Sequence, residues 1–307
     1  MSDTFQEPAL LDFRPWIDQA VSDPYLRDQR QVMAIILNAV ALVPSFRGRL
    51  VFKGGALLAV AHDSPRLTRD LDFTARADDP EEFAAGFAAE MDRGLDRARA
   101  RLGYAQWRCR VQGKLKRQPR NFAADRFPAL RARIGYARTG SKDEAQLTAG
   151  NCTNVIDVEI SFREPVIETE ELQLVASNGL IEAYSLNEVI AEKLRAYLQQ
   201  GIRNRRRRQD IYDVAYLIRH HADEGGIDRV TVLRALLEKC AARNVPVGRV
   251  LIDDPELVER ARSEWTTMAL EIGSLPLFEE CFAAVRGFYL SLPWDDATPD
   301  GQPVASG

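Results

Sequence analysis

Residues 52–73 read FKGGALLAVAHDSPRLTRDLDF, and the fold class turns on how this run divides. Its first part is the end of a short apolar strand, Leu50-Val51-Phe52, which meets Lys53 and the pair Gly54-Gly55 before ALLAVAH begins a helix. Its last part alternates. Leu71 and Phe73 oppose Asp70, Asp72 and Thr74, a period of two that predicts a strand with both aspartates on one face. Two carboxylates so placed repel each other unless a cation lies between them, and hard oxygen donors of this type suit Mg2+. Glycines ahead of a helix let backbone N–H groups approach phosphate oxygens. Taken singly, a double glycine is an ordinary tight turn and a D-x-D an ordinary solvated strand face. In this order and at this distance they point to a site for metal and phosphate.

A third carboxylate is expected from a neighbouring strand. In NVIDVEISF (154–162) the apolar residues Val155, Ile156, Val158 and Ile160 supply a buried side, while Asp157 and Glu159 point the other way together. Spacing does not choose between them; Glu159 is preferred, with Asp157 close behind. One of the two would complete a two-metal site with Asp70 and Asp72, suited to in-line nucleotidyl transfer.

Working outward, RDQRQVMAIILNAVALV (27–43) has a helical apolar period that ends near Pro44. DDPEEFAAGFAAEMDRGLDRARARLG reads as a helix with Asp79 as N-cap and Pro80 at its first position. AQWRCRVQG and RARIGYAR are strand candidates with Arg108, Arg110, Arg131 and Arg133 on their outer faces. From Ser185 the pattern becomes helical. Ser185 to Glu188 forms a capping box, and the helix should run to about Gln200. Lys193 lies within it, and taken alone it reads as a solvated lysine paired with a nearby Glu. Asp210 and Asp213 share a face of the next helix; pairing with the arginines of 203–208 explains them as readily as catalysis does.

Composition narrows the class. With 46% apolar and 28% charged residues the chain is globular in type, and 307 residues suffice for one large domain or two ordinary ones. No apolar run approaches the roughly 20 residues of a membrane helix. The first fifteen residues carry acids and no basic-then-apolar leader, so a cytoplasmic location is expected. Four scattered cysteines and three histidines lack zinc spacing and a nucleophile–His signature, so the chemistry is expected to run on carboxylates and the thiols to be reduced and buried. The net charge of −4 hides an uneven distribution: residues 93–138 hold 14 Lys and Arg against two acids. A basic segment in an acidic chain suggests a polyanion partner. Tyr104, Trp107, Phe122, Phe127 and Tyr136 lie in or beside it and could stack bases, although most of them are expected to face the core.

Taken in order, these residues resemble the AbiEii/AbiGii-like nucleotidyltransferase toxin family of the polymerase-beta-type superfamily. Lys53-Gly54-Gly55-Ala56-Leu57-Leu58 and Arg66-Leu67-Thr68-Arg69-Asp70-Leu71-Asp72-Phe73 are similar to its first motif. Glu188 to Ala196, around Glu192-Lys193, is similar to a later one, and Gln209-Asp210-Ile211-Tyr212-Asp213 to the last. Ala56 departs from the Ser or Thr usual after the double glycine, and Gln209 from the Arg usual before the final aspartate. The resemblance implies Mg2+ and a nucleoside triphosphate, a cognate antitoxin, and for some members a tRNA 3' end as acceptor. It implies Asp70 and Asp72 as metal ligands and Lys193 and Asp210 as essential partners; Glu159, preferred above from the strand pattern over Asp157, is expected to join Asp70 and Asp72 on the metal. By the resemblance Lys53, Gly54, Gly55, Arg66 and Thr68 would shape the nucleotide pocket, and from their spacing Asp157, Glu159 and Asp213 are expected beside it.

The expected architecture is α+β: a mixed-sheet, polymerase-beta-like domain over residues 1–180, a helical domain over 181–294 that supplies Lys193 and Asp210, and a disordered tail over 295–307. Two other functions suit the same residues. One is an enzyme that modifies a protein or a small hydroxylated molecule. The other is a decayed module that only binds RNA.

Overall fold

The computed structural model describes residues 7–222 and 225–296; positions 297–307, most of the tail expected to be disordered, lie outside the described residues. The chain divides into two compact units. Of the described residues, the first comprises 7–63, 68–163 and 170–183; the second takes 64–67, 164–169 and those from 184 to 296.

The first unit runs β1 (Ala9–Leu11), α1 (Arg14–Asp18), α2 (Pro24–Leu42), β2 (Leu50–Lys53), α3 (Gly54–Ala61), β3 (Asp70–Ala75), α4 (Pro80–Leu102), β4 (Trp107–Gln118), β5 (Ala129–Arg138), α5 (Asp143–Thr148), β6 (Val155–Phe162), β7 (Thr169–Leu174) and β8 (Gly179–Tyr184). The eight strands form one mixed sheet in the order β1-β7-β8-β2-β3-β6-β5-β4. β3 runs parallel to β6 and antiparallel to β2, and β5 is antiparallel to both β6 and β4. This is a mixed α+β sheet; the alternation in 70–74 and 154–162 led us to expect β3 and β6, and the polymerase-beta-like form is what the family resemblance implied.

Helix boundaries follow local chemistry. Asp79 accepts hydrogen bonds from Glu81 N and Glu82 N at 2.8 and 3.2 Å, with Pro80 at the first helical position. Gly103, in the left-handed region at φ 71°, ends α4. α2 is buried at every position from Val32 to Val40. It packs tightly on α4, where a Cβ on Gly94 would lie 2.6 Å from Val43 Cγ2. Phe52 and Phe73 on the sheet, Phe83 and Phe87 on α4, and Phe46 and Phe162 close the core with ring centroids 5.4–6.0 Å apart.

The second unit is a helical bundle: α6 (Leu186–Leu198), α7 (Arg208–His220), α8 (Arg229–Ala242), α9 (Pro255–Arg262), α10 (Ala269–Ile272) and α11 (Phe278–Leu290). Tyr197 and Tyr289 are buried to the hydroxyl, and each donates to a main-chain carbonyl, Ile252 O and Gly248 O, at 2.9 Å. The capping box at the start of α6 is half formed. Ser185 Oγ accepts from Glu188 N at 3.2 Å, but Glu188 does not reach back to Ser185 N. Its carboxylate accepts from the amides of Ile167 and Glu168 and pairs with Lys239 at 2.7 Å. A buried tertiary partner has displaced the local one.

The four cysteines are free, as expected; Cys152, Cys240 and Cys281 are buried, whereas Cys109 on β4 is only partly covered. Burial pushes the Cys109 and Cys240 thiols up to about 12. Among the described residues no helix is long and apolar enough to cross a membrane.

Candidate active site

In the sheet unit the main-chain register assembles the acids that spacing alone left scattered. Asp70 of β3 lies opposite Asp157 of β6, and Asp72 opposite Glu159. Paired residues on neighbouring strands project to the same face, so four carboxylates share one surface. Thr68 Oγ1 donates to Asp70 Oδ1 at 3.1 Å. Lys53, the register partner of Asp72 on β2, crosses β3 to donate from Nζ to Ser161 Oγ at 3.4 Å. Its ammonium therefore stands at the foot of the acidic face.

Gly54 is where the backbone turns from β2 into α3, and it does so at φ 80°. A Cβ there would lie 2.1 Å from Asp72 Oδ2. The room that glycine leaves is thus taken by the Asp72 carboxylate, which the turn cradles. The sequence had suggested a phosphate for that space. Glycine is required twice over at this position, by the left-handed φ and by the contact.

Asp157 and Glu159 are not equivalent. Arg131 grips Asp157 with both Nε and Nη2, at 3.1 and 2.7 Å, which uses both carboxylate oxygens. Glu159 is exposed and has no ion pair among the described residues. Among those residues no three acidic, His or Cys side chains converge into a ready metal cluster. The donor set suits a hard divalent cation all the same: oxygen ligands only, adjacent on one face, with one carboxylate seated against a glycine.

The helical unit holds a second centre. Lys193 is not the solvated lysine its local sequence suggests. It is 7% exposed and donates to Asp213 Oδ2 at 2.6 Å, with Asp210 Oδ1 at 3.6 Å. Asp213 is 0% exposed and also accepts from Arg66 at 2.9 and 3.2 Å. Asp210 takes Arg207 Nε at 2.7 Å, as the pairing with preceding arginines predicted. Arg208 and Arg66 both lean on Glu271, at 3.2 and 3.8 Å. Arg66 therefore belongs with Asp213 in this centre, whereas Thr68, two residues on, belongs with Asp70. Lys239 and Glu271 were not singled out from sequence, because their partners lie in other helices or loops.

Burial alone would push the Asp213 carboxyl up. Arg66 and Lys193 outweigh it and hold the group below the ordinary carboxylate range. A depressed carboxyl stabilises the fold above the unfolded value of about 3.9 and loses that contribution as pH falls through the folded value. The stability gap between wild type and Asp213→Asn should therefore be full at pH 7 and shrink on acidification below about pH 4. Urea unfolding at both pH values measures it, and a gap that does not depend on pH would contradict the assignment.

The aromatic residues of the basic segment sort mainly inward. Trp107, Phe122 and Tyr136 are buried, and Trp107 meets Tyr136 edge to face at 5.6 Å. They offer no base-stacking surface.

Residues 35–284 match the family described as nucleotidyl transferase AbiEii toxin, type IV TA system. Among solved structures, JHP933 from Helicobacter pylori aligns with a TM-score of 0.52 at 16% identity, covering 87% of this chain and 91% of that one. A second H. pylori structure, described as a candidate nucleotidyltransferase, aligns with a TM-score of 0.50 at 14% identity, covering 87% and 94%. At these identities the likeness is one of fold. No curated protein matches the sequence.

Proposed function

We propose, from the premise that this chain belongs to the AbiEii family of nucleotidyltransferase toxins, that it transfers a nucleotide from a nucleoside triphosphate to a nucleic-acid acceptor, with the tRNA 3' end as first candidate. Its general character follows from the family: a nucleotidyltransferase and the toxin of a toxin–antitoxin, abortive-infection pair. The acceptor, the use of Mg2+ and the residue roles are our reading.

The observation that carries it is the pairing of Asp70 and Asp72 with Asp157 and Glu159 across β3 and β6, beside Gly54. Asp70, Asp72 and Glu159 would hold Mg2+, with Glu159 preferred because Arg131 already occupies Asp157. When bound, the metal stabilises charge on the phosphoryl oxygens and makes the attacking hydroxyl more acidic. Thr68 orients Asp70, the Gly54 turn fixes Asp72, and Lys53 offers a cation to phosphate alongside Gly55. The acceptor hydroxyl bonds to the α-phosphorus as the bond to pyrophosphate breaks, and Glu159 takes the hydroxyl proton. Lys193 and Asp210 enter through their motif. Held by Asp213 and Arg207, they have little freedom to move.

The test is incubation of the pure protein with total tRNA and each labelled triphosphate, with and without Mg2+. Label should enter RNA only with Mg2+, and Asp70→Asn or Asp72→Asn should cut the rate at least about 10²–10³-fold, the scale for losing one charge-stabilising group. Undiminished transfer by either variant would remove the metal reading. Label on proteins or small molecules, with RNA bare, would move the acceptor to those classes.

A further inference from the structure

The four-strand register extends beyond the acids. Through β5 and β4, the row holding Asp72 and Glu159 continues into Arg131 and then Lys116. The row holding Asp70 and Asp157 continues into Arg133 and then Gln112. One face of the sheet is therefore acidic on β3 and β6 and basic on β5 and β4. At about 4.8 Å between strands, the basic half begins about 5 Å from the Glu159 backbone and ends about 14 Å from that of Asp72.

Ion pairing divides the basic segment. Arg99, Arg108, Arg110, Arg117 and Arg138 are held by Asp96, Glu144, Asp92, Glu81 and Asp28. Arg133, Lys114 and Lys116 are exposed and have no acidic partner among the described residues. These side chains stand on the carboxylate face or on the β4 bulge next to it, where register shifts between Gln112 and Lys116. α5 covers the other end of this face, where Leu147 packs with Ala137 and Cys152; Arg131 is held by Asp157, so the unpaired cations of the basic half are Arg133 and Lys116, with Lys114 beside them.

We propose that this basic lane binds the sugar–phosphate backbone of the acceptor RNA and leads its terminus to Asp70, Asp72 and Glu159. The inference rests on the nucleic-acid reading above. It deepens that reading by naming the surface and the mode. Charge complementarity favours a chain of repeated phosphates over a single anion, because the cations form a track that extends from the metal-binding acids. Trp107, Phe122 and Tyr136 of the same segment are buried, and the lane's own rows, Arg131–Lys116 and Arg133–Gln112, carry no aromatic residue. Contact is therefore with the backbone, and binding is tolerant of base sequence. Acceptor choice must then come from shape or from another part of the chain.

Labelled total tRNA, oligo-U and oligo-A of equal length serve as probes, with binding measured against salt. Arg133→Ala/Lys116→Ala should lower the salt slope by about 2 and weaken binding at least about 10-fold at moderate salt. KM for RNA should rise while KM for the triphosphate holds. Arg138→Ala, which removes a cation already paired with Asp28, should bind as wild type. Oligo-U and oligo-A should bind within a few-fold of each other. A double variant with unchanged slope and affinity would overturn the lane, while continued labelling of tRNA by wild type would leave the nucleic-acid reading standing. A strong preference for one homopolymer would overturn backbone-only contact. If wild type labels no RNA and binds it independently of salt, lane and reading fall together.

Discussion

Gly54→Ala should lose at least about 10²-fold of transfer activity while the protein still folds, the loss expected when a reacting group is displaced by about 1 Å. Two effects add. The left-handed φ of 80° costs an alanine about 1–2 kcal/mol. The new Cβ also has to share space with Asp72, whose Oδ2 lies 2.1 Å away and whose Cβ and Cγ lie 2.8 Å away. The carboxylate must swing off its seat, and the face it shares with Asp70 and Glu159 is broken. Gly48→Ala separates the two effects. Gly48 has φ 68° and nothing within 4 Å of an added Cβ, so it should show the strain in stability and none of the loss in activity. Steady-state rates and thermal melts of the two variants side by side give the answer. Near-normal turnover by Gly54→Ala would mean that the Asp72 position is not critical.

The second large effect is on stability. Asp213→Ala should lower the unfolding free energy of the helical unit by about 3–5 kcal/mol, the cost of breaking a buried ion pair and leaving its partners unneutralised. Here two cations are stranded. Arg66 and Lys193 both lean on Asp213, and Asp210, at 3.6 Å from the ammonium, is already held by Arg207. Denaturant midpoints followed by helix signal test this. A shift of under about 1 kcal/mol would show that water reaches the site in the native state, since exposed pairs contribute no more than that.

The parts of this fold that could be read from sequence are those set by neighbours along the chain. Asp79-Pro80 starts α4 where the cap and proline rules place it, and the alternation in 70–74 and 155–160 gives the two strands with their polar sides. What depends on distant partners was not visible. β7 and β8 were not read from sequence, although Leu172 and Leu174, and then Ile181 and Ala183, alternate with less buried neighbours; that β8 lies in mid-sheet beside β2 depends on a partner about 130 residues away. Lys193 looked solvated because its partner Asp213 is twenty residues away on another helix. Asp157 and Glu159 were indistinguishable by spacing. What distinguishes them is Arg131, whose sequence position says nothing about which of the two it will hold.

Residues 64–67 and 164–169 pack with the bundle, although sheet-forming chain flanks both. The two halves are therefore stitched together, and no single breakpoint in the gene separates them. A fragment ending at 183 would keep Arg66 and Glu164 but lose Asp213 and Arg243, which neutralise them. A fragment starting at 184 would keep Glu188 and Lys239 without the Ile167 and Glu168 amides and the Pro165 carbonyl that complete them. Swapping one half by recombination at one junction strands buried charge on both sides of the cut, so the sheet unit and the helical unit cannot be exchanged independently at a single junction.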